Sequence, residues 1–255
     1  MGFRLCRMLF LTTAGALSAQ PNEWYDFIRQ LDTSANSLDV DRVEKNAEWI
    51  VKYLGKPWQR VAQRFGTTFV MPSFVDGGRL RFLKNTPWKC EGGKVTIFDN
   101  AGYCSASNVI SYDGFFLAGI GKKVAKLNHS PGDFATILTL GHETGHALQF
   151  QLGIESLFDF PNEQFADCFA GVMTYYLGID DLLHPNDVEE AKATLTLFAI
   201  AGGNKKAAPS DKGAHGNAEQ RVEAFMLGYR SGEKGCLWYQ PVPPWRLPRP
   251  PFSRF

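Results

Sequence analysis

Apolar residues recur at helical spacing in the first part of the chain. Trp24, Phe27, Ile28 and Leu31 form one stripe, and Val43, Ala47, Ile50 and Leu54 form a second. The second stripe is expected to stop at Gly55, with Pro57 just beyond it. The period then changes. Thr67–Met71, Lys94–Asp99 and Asn108–Tyr112 are short, β-prone and bounded by Gly, Pro, Asp and Asn, which predicts a small antiparallel sheet. Helical spacing resumes after residue 130 and continues to about Tyr229. The segment Gln240–Phe255 holds six prolines and reads as an extended tail. The expected fold class is α+β, mostly helical, with the small sheet packed on one of the later helices.

That helix has its own start signal. Ser130-Pro131-Gly132-Asp133 offers an N-cap serine, a first-turn proline and an acid three residues on. Phe134, Leu138, Gly141, Gly145 and Leu148 then form its buried stripe, and Gly153 is the expected stop.

Composition narrows the function classes. A chain of 255 residues with 27 basic and 26 acidic side chains has a net charge of +1 and no basic block, so nucleic acid is not the expected partner. The first 19 residues differ from the rest. Arg4 and Arg7 precede the uncharged stretch Met8–Ala19, which ends in small residues. This order reads as a secretory signal cleaved between Ala16 and Gln20, with a disordered or docked cytosolic N-terminus as the alternative. The stretch is too short to span a bilayer, and no stable membrane span is expected in the mature chain. The expected organisation is therefore a signal over 1–19, one domain over 20–239 and the tail over 240–255, in an extracytoplasmic protein. Four cysteines would remain: Cys90, Cys104, Cys168 and Cys236. Two disulfides in any of three pairings, or four buried thiols, are open on this count.

The chemistry lies in His142-Glu143-Thr144-Gly145-His146. Two histidines four residues apart leave a helix on one face, so their ring nitrogens can meet one zinc ion. Glu143, the next residue round, can take a proton from a water there. Taken alone, the pattern also fits a polar face with two solvated histidines. A second helix changes the balance. Glu163 and Asp167 are again four apart, with Phe165, Phe169, Val172 and Tyr176 on another face. Glu163 lies 17 residues after His146, room for a turn and a return. Glu163 is the expected third zinc ligand. Asp167 is expected to hold the outer nitrogen of a ligand histidine.

With these motifs in order, the chain resembles the putative neutral zinc metallopeptidases of bacteria, within the wider thermolysin-like Glu-zincin group. The resemblance covers roughly residues 58–229, from Phe65-Gly66 and Met71-Pro72 through Tyr103-Cys104, Tyr112-Asp113, Phe115-Phe116 and Gly132-Asp133 to Ala166-Asp167-Cys168, Ala170-Gly171, His215-Gly216 and Gln220-Arg221. It departs from the family pattern at Phe165, Ala214 and Asn217. The resemblance implies hydrolysis of peptide bonds in a peptide or protein substrate. It implies His215 as the donor to the oxyanion, with Arg221 as a substitute; a structural His215 is the alternative. It also implies a peptide-binding edge strand, for which Asn108–Tyr112 is a candidate; an internal strand is the alternative for this segment. Cys90 and Cys104 flank the expected strand Lys94–Asp99 and match cysteine-bearing segments of the family, so they are expected to pair. A Cys168–Cys236 pair is set against a Cys168 that is simply buried. His129 and His184 read as surface or capping residues. The rival functions are a zinc hydrolase of a non-peptide bond and a silent binding protein that keeps zinc for structure. The intact Glu143 and the open fourth metal position argue against the latter.

Overall fold

The computed structural model describes residues 37–77, 89–90, 93–94, 100–157, 159–201 and 214–238. It is an α+β fold, mostly helical. The helices are α1 (Ser37–Arg64), α2 (Gly114–Asn128), α3 (Phe134–Leu152), α4 (Asp159–Ile179), α5 (Asp187–Ala201), α6 (Ala218–Ser231) and α7 (Glu233–Trp238). The strands are β1 (Ser73–Asp76), β2 (Lys89–Cys90), β3 (Gly93–Lys94), β4 (Ala101–Cys104) and β5 (Val109–Tyr112).

The predicted break at Gly55 does not occur: α1 runs on through Pro57 to Arg64. A proline inside a helix costs about 3 kcal/mol or more. Here the apolar stripe continues past it as Trp58, Val61 and Ala62, all buried with Leu54 and Ile50. Burying one large apolar side chain returns about 1.5–3 kcal/mol, so the longer stripe outweighs the proline. Gly66, with φ +70°, makes the actual stop. The stripe Trp24–Leu31, the signal over 1–19 and the tail over 240–255 lie outside the described residues.

The sheet is mixed rather than antiparallel. Its order is β1-β5-β4, with β1 parallel to β5 (Ser73 opposite Val109) and β4 antiparallel to β5 (Ala101 opposite Tyr112). The first strand therefore begins two residues beyond the expected Thr67–Met71. Most of Lys94–Asp99 lies outside the described residues, and Gly93–Lys94 pairs with Lys89–Cys90 in a separate two-stranded piece. Helix α2 follows β5 directly. Asp113 caps it by accepting from the N–H groups of Phe115 and Phe116, at 3.0 and 3.3 Å. Its spaced apolar residues Phe116, Leu117, Ile120 and Val124 are buried.

Helix α3 begins later than its sequence signal. Gly132 has φ +76°, so Ser130–Gly132 is not helical, and a Cβ at Gly132 would collide with the Gly121 carbonyl. Asp133 occupies the cap position without a side-chain cap bond. Glu190 of α5 supplies the missing acceptors, taking the N–H of Gly132 at 2.7 Å and of Phe134 at 2.9 Å. The stop at Gly153 is as expected, with φ +67° and its N–H on Gln149 and Phe150 carbonyls. Helices α3 and α4 pack on each other, and α4 packs along α6. Cys168 of α4 and Cys236 of α7 form a disulfide with a Cα–Cα distance of 5.6 Å. Cys104 is also disulfide-bonded; the side chain of its expected partner, Cys90, lies outside the described residues.

Candidate metal centre

Two helices bring the sequence-predicted donors together. Gly145 allows the approach: a Cβ there would lie 3.0 Å from the Ala166 carbonyl oxygen and 3.1 Å from Phe169 Cβ. Across this contact His142, His146 and Glu163 converge, all buried. Nε2 of His142 is 3.1 Å from Nε2 of His146. Each lies 3.4 Å from one Glu163 oxygen, His142 from Oε2 and His146 from Oε1. Four-coordinate zinc at about 2.0–2.2 Å places its donors roughly 3.3–3.5 Å apart. One donor atom from each residue lies within 4.8 Å of the other two, close enough to share one ion.

The outer bonds of these residues are also in place. His142 Nδ1 is 2.8 Å from Asp167 Oδ1, which fixes the ring with Nε2 turned to the centre. Asp167 is gripped in turn by Arg221 through Nε and Nη2, both at 2.8 Å. His215 Nδ1 is 3.0 Å from Glu163 Oε2. The predicted oxyanion donor thus stands against the third donor residue, partly exposed, with Nε2 as its remaining ring nitrogen. Arg221 is buried on Asp167 and 4.0 Å from Glu163. It does not stand free for an oxyanion.

These pairings set the charges. Burial pushes the carboxyl groups of Glu163 and Asp167 up, but neighbouring cations outweigh it. His215, His142 and His146 hold Glu163 well below the usual carboxylate range, and Arg221 and His142 hold Asp167 down. Burial opposes the charged form of His142, yet Asp167 and Glu163 raise its pKa to about 10. Glu143 has the opposite balance: burial raises its pKa, partly offset by His142 and His146. A carboxylate raised in this way suits a group that must accept and return a proton.

Glu143 also accepts the backbone N–H of Tyr103. Asp113 donates to the Asn100 carbonyl at 2.9 Å. That bond sets the phase of the β4–β5 ladder, so Ala101 and Tyr103 turn their backbone groups away from β5. The edge strand beside α3 is therefore β4. The expected candidate, Asn108–Tyr112, is the central strand β5, paired on both sides. Tyr103 is anchored by its hydroxyl to Asn108 Oδ1 at 3.0 Å. Gln151 of α3 meets the same oxygen at 3.3 Å and pairs with both backbone groups of Val70, at 2.7 and 2.8 Å.

His129 and His184 lie elsewhere, as expected. His129 is the C-cap of α2, and the His184 N–H donates to Asp187 Oδ2 at 2.8 Å. Sequence reasoning missed Glu190, Tyr103 and the grip of Arg221 on Asp167. The backbone bond from Tyr103 leaves no side-chain signal. Arg221, four residues after Asn217 in a polar run that begins a helix, carried a signal of position but not of partner.

A model of the family described as "putative neutral zinc metallopeptidase" matches residues 28–236. The chain is 25% identical over 240 residues to the uncharacterized protein YpfJ of Escherichia coli (strain K12), covering 86% of this chain and 77% of that one. It is 28% identical over 158 residues to the uncharacterized protein Mb2605 of Mycobacterium bovis, covering 51% of this chain and 52% of that one. No solved structure matches the chain.

Proposed function

The chain belongs to this putative neutral zinc metallopeptidase family, and from that premise we propose that it hydrolyses peptide bonds with zinc held by His142, His146 and Glu163. Zinc bound there supplies a Lewis acid for the substrate carbonyl and lowers the pKa of water to about 7. Glu143 accepts the proton of the attacking water and returns it to the leaving amine nitrogen. Asp167 holds His142 in the tautomer that presents Nε2. His215, fixed through Nδ1, offers Nε2 as donor to the developing oxyanion. The outer edge of β4, at Ala101 and the Tyr103 carbonyl, takes the main chain of an extended peptide or protein substrate. This assignment puts the chain with the thermolysin-like Glu-zincins, whose third ligand comes from a later helix.

One observation carries the reading: the ring nitrogens of His142 and His146 lie 3.1 Å apart, each 3.4 Å from one oxygen of the Glu163 carboxylate, with a raised carboxyl group, Glu143, beside them. The Cys168–Cys236 disulfide supports work outside the cytoplasm. The test is digestion of a peptide library by purified chain, with and without a chelator and with Glu143→Gln. Cleavage that stops on chelation, returns with zinc and is absent in the zinc-loaded variant is the expected result. Cleavage indifferent to both treatments would sink the proposal.

A further inference from the structure

We infer that Arg221 is a positioning residue that sets the aim of His142 through Asp167; this rests on the zinc reading above. Asp167 is fully buried and receives three bonds. Oδ2 takes the Arg221 Nε–H, while Oδ1 takes both Arg221 Nη2–H and His142 Nδ1, all at 2.8 Å. A carboxylate held only by an imidazole can turn about its own axis, and the imidazole turns with it. A planar guanidinium gripping both oxygens fixes that plane. The His142 ring is then fixed at Nδ1, and Nε2 points to the place shared with His146 and Glu163.

The helix that carries the arginine is itself fixed in place. The start of α6 is locked by a reciprocal cap between Asn217 and Gln220, and the Arg221 N–H bonds to the Asn217 carbonyl at 3.1 Å. Further along, α6 touches α4 backbone to backbone. A Cβ at Gly171 would strike the Phe225 carbonyl, and one at Gly228 would strike the Cys168 carbonyl. The disulfide from Cys168, the residue after Asp167, fastens the same helix to α7. The site thus takes a part from a helix that carries none of its three zinc donors.

The alternative is that Arg221 only neutralises a buried acid for the sake of folding. A double-mutant cycle separates the two, because a residue acting through Asp167 has nothing to act on once Asp167 is changed. Zinc affinity is measured by competition with a chelating dye for the full chain, Arg221→Gln, Asp167→Asn and the double variant. Each single change is expected to weaken zinc binding by about 10–100-fold. The double variant should fall within about threefold of the weaker single. The His142 Nδ1–H resonance is expected to be sharp in the parent and to broaden in Arg221→Gln. Parental zinc affinity in Arg221→Gln, or losses that multiply in the double variant, would overturn the inference. Should Arg221→Gln not fold, Arg221→Lys carries the test. It keeps the charge and loses the fork, so weakened zinc binding upholds the inference and parental binding overturns it. A parent chain that binds no zinc overturns the metal reading and this inference together.

Discussion

Helix α3 has a cluster of potential metal donors at each end, and the two are not equivalent. Near its C-terminal half stand His142, His146 and Glu163. At its N-terminus stand Asp133, Asp187 and Glu190, whose oxygens also approach one another closely enough to surround an ion. Distance alone does not separate them; the residue types and the partners of each donor do. In the first cluster the outer bonds, to Asp167 and His215, fix the donors and leave Nε2 of both histidines turned to one point. In the second, both Glu190 oxygens are occupied by the N–H groups of Gly132 and Phe134, and Asp187 accepts from His184. Those carboxylates finish a helix that has no cap of its own.

The sharpest way to press this comparison is at Glu143. Glu143→Gln should lower peptide turnover by about 100–10,000-fold while zinc content stays at the parental level. Parallel peptide assays and metal analysis check both halves. Glu163→Ala should leave only two protein donors and abolish high-affinity zinc binding in a dye competition. Glu190→Ala should leave zinc affinity unchanged yet lose about 2–3 kcal/mol of folding stability, because two buried N–H groups lose a charged acceptor; urea unfolding reads this directly. Zinc lost with Glu190 and kept without Glu163 would reverse the roles of the two ends.

The smallest effect is expected at Asp187. Burial raises its pKa, the His184 N–H opposes this, and the charges of Asp133 and Glu190 add to it. A carboxyl group raised in the fold contributes stability below its unfolded pKa and loses it as pH rises through the folded value. Asp187→Asn should therefore gain slightly on the parent between about pH 4 and pH 7. Thermal unfolding at several pH values is the check, and a gain that grows toward acid would contradict the assignment.

The two ends of α3 also differ in how far the sequence disclosed them. At the His142 end, the four-residue spacings of His142–His146 and Glu163–Asp167 each place two side chains on one helix face. The structure brings those faces together as the spacing implied. At the other end, Ser130 and Pro131 gave a standard start signal that the chain does not use. Gly132 takes a left-handed turn, and the acceptors arrive from Glu190, 58 residues later than Gly132. Local chemistry could not reveal a cap supplied through space. The same limit explains Pro57, whose helix-breaking tendency is overruled by a core stripe that only the fold completes. It also explains the edge strand. Asn108–Tyr112 has the right pattern, but only pairing on both sides by Ser73–Asp76 and Ala101–Cys104 shows it to be central.

Metal analysis of the purified full chain tests the central claim most directly. One zinc per chain is expected in the parent and in Glu190→Ala, and none in His146→Ala. A parent that holds no zinc after zinc loading, or a His146→Ala variant that keeps it while Glu190→Ala does not, would contradict the account.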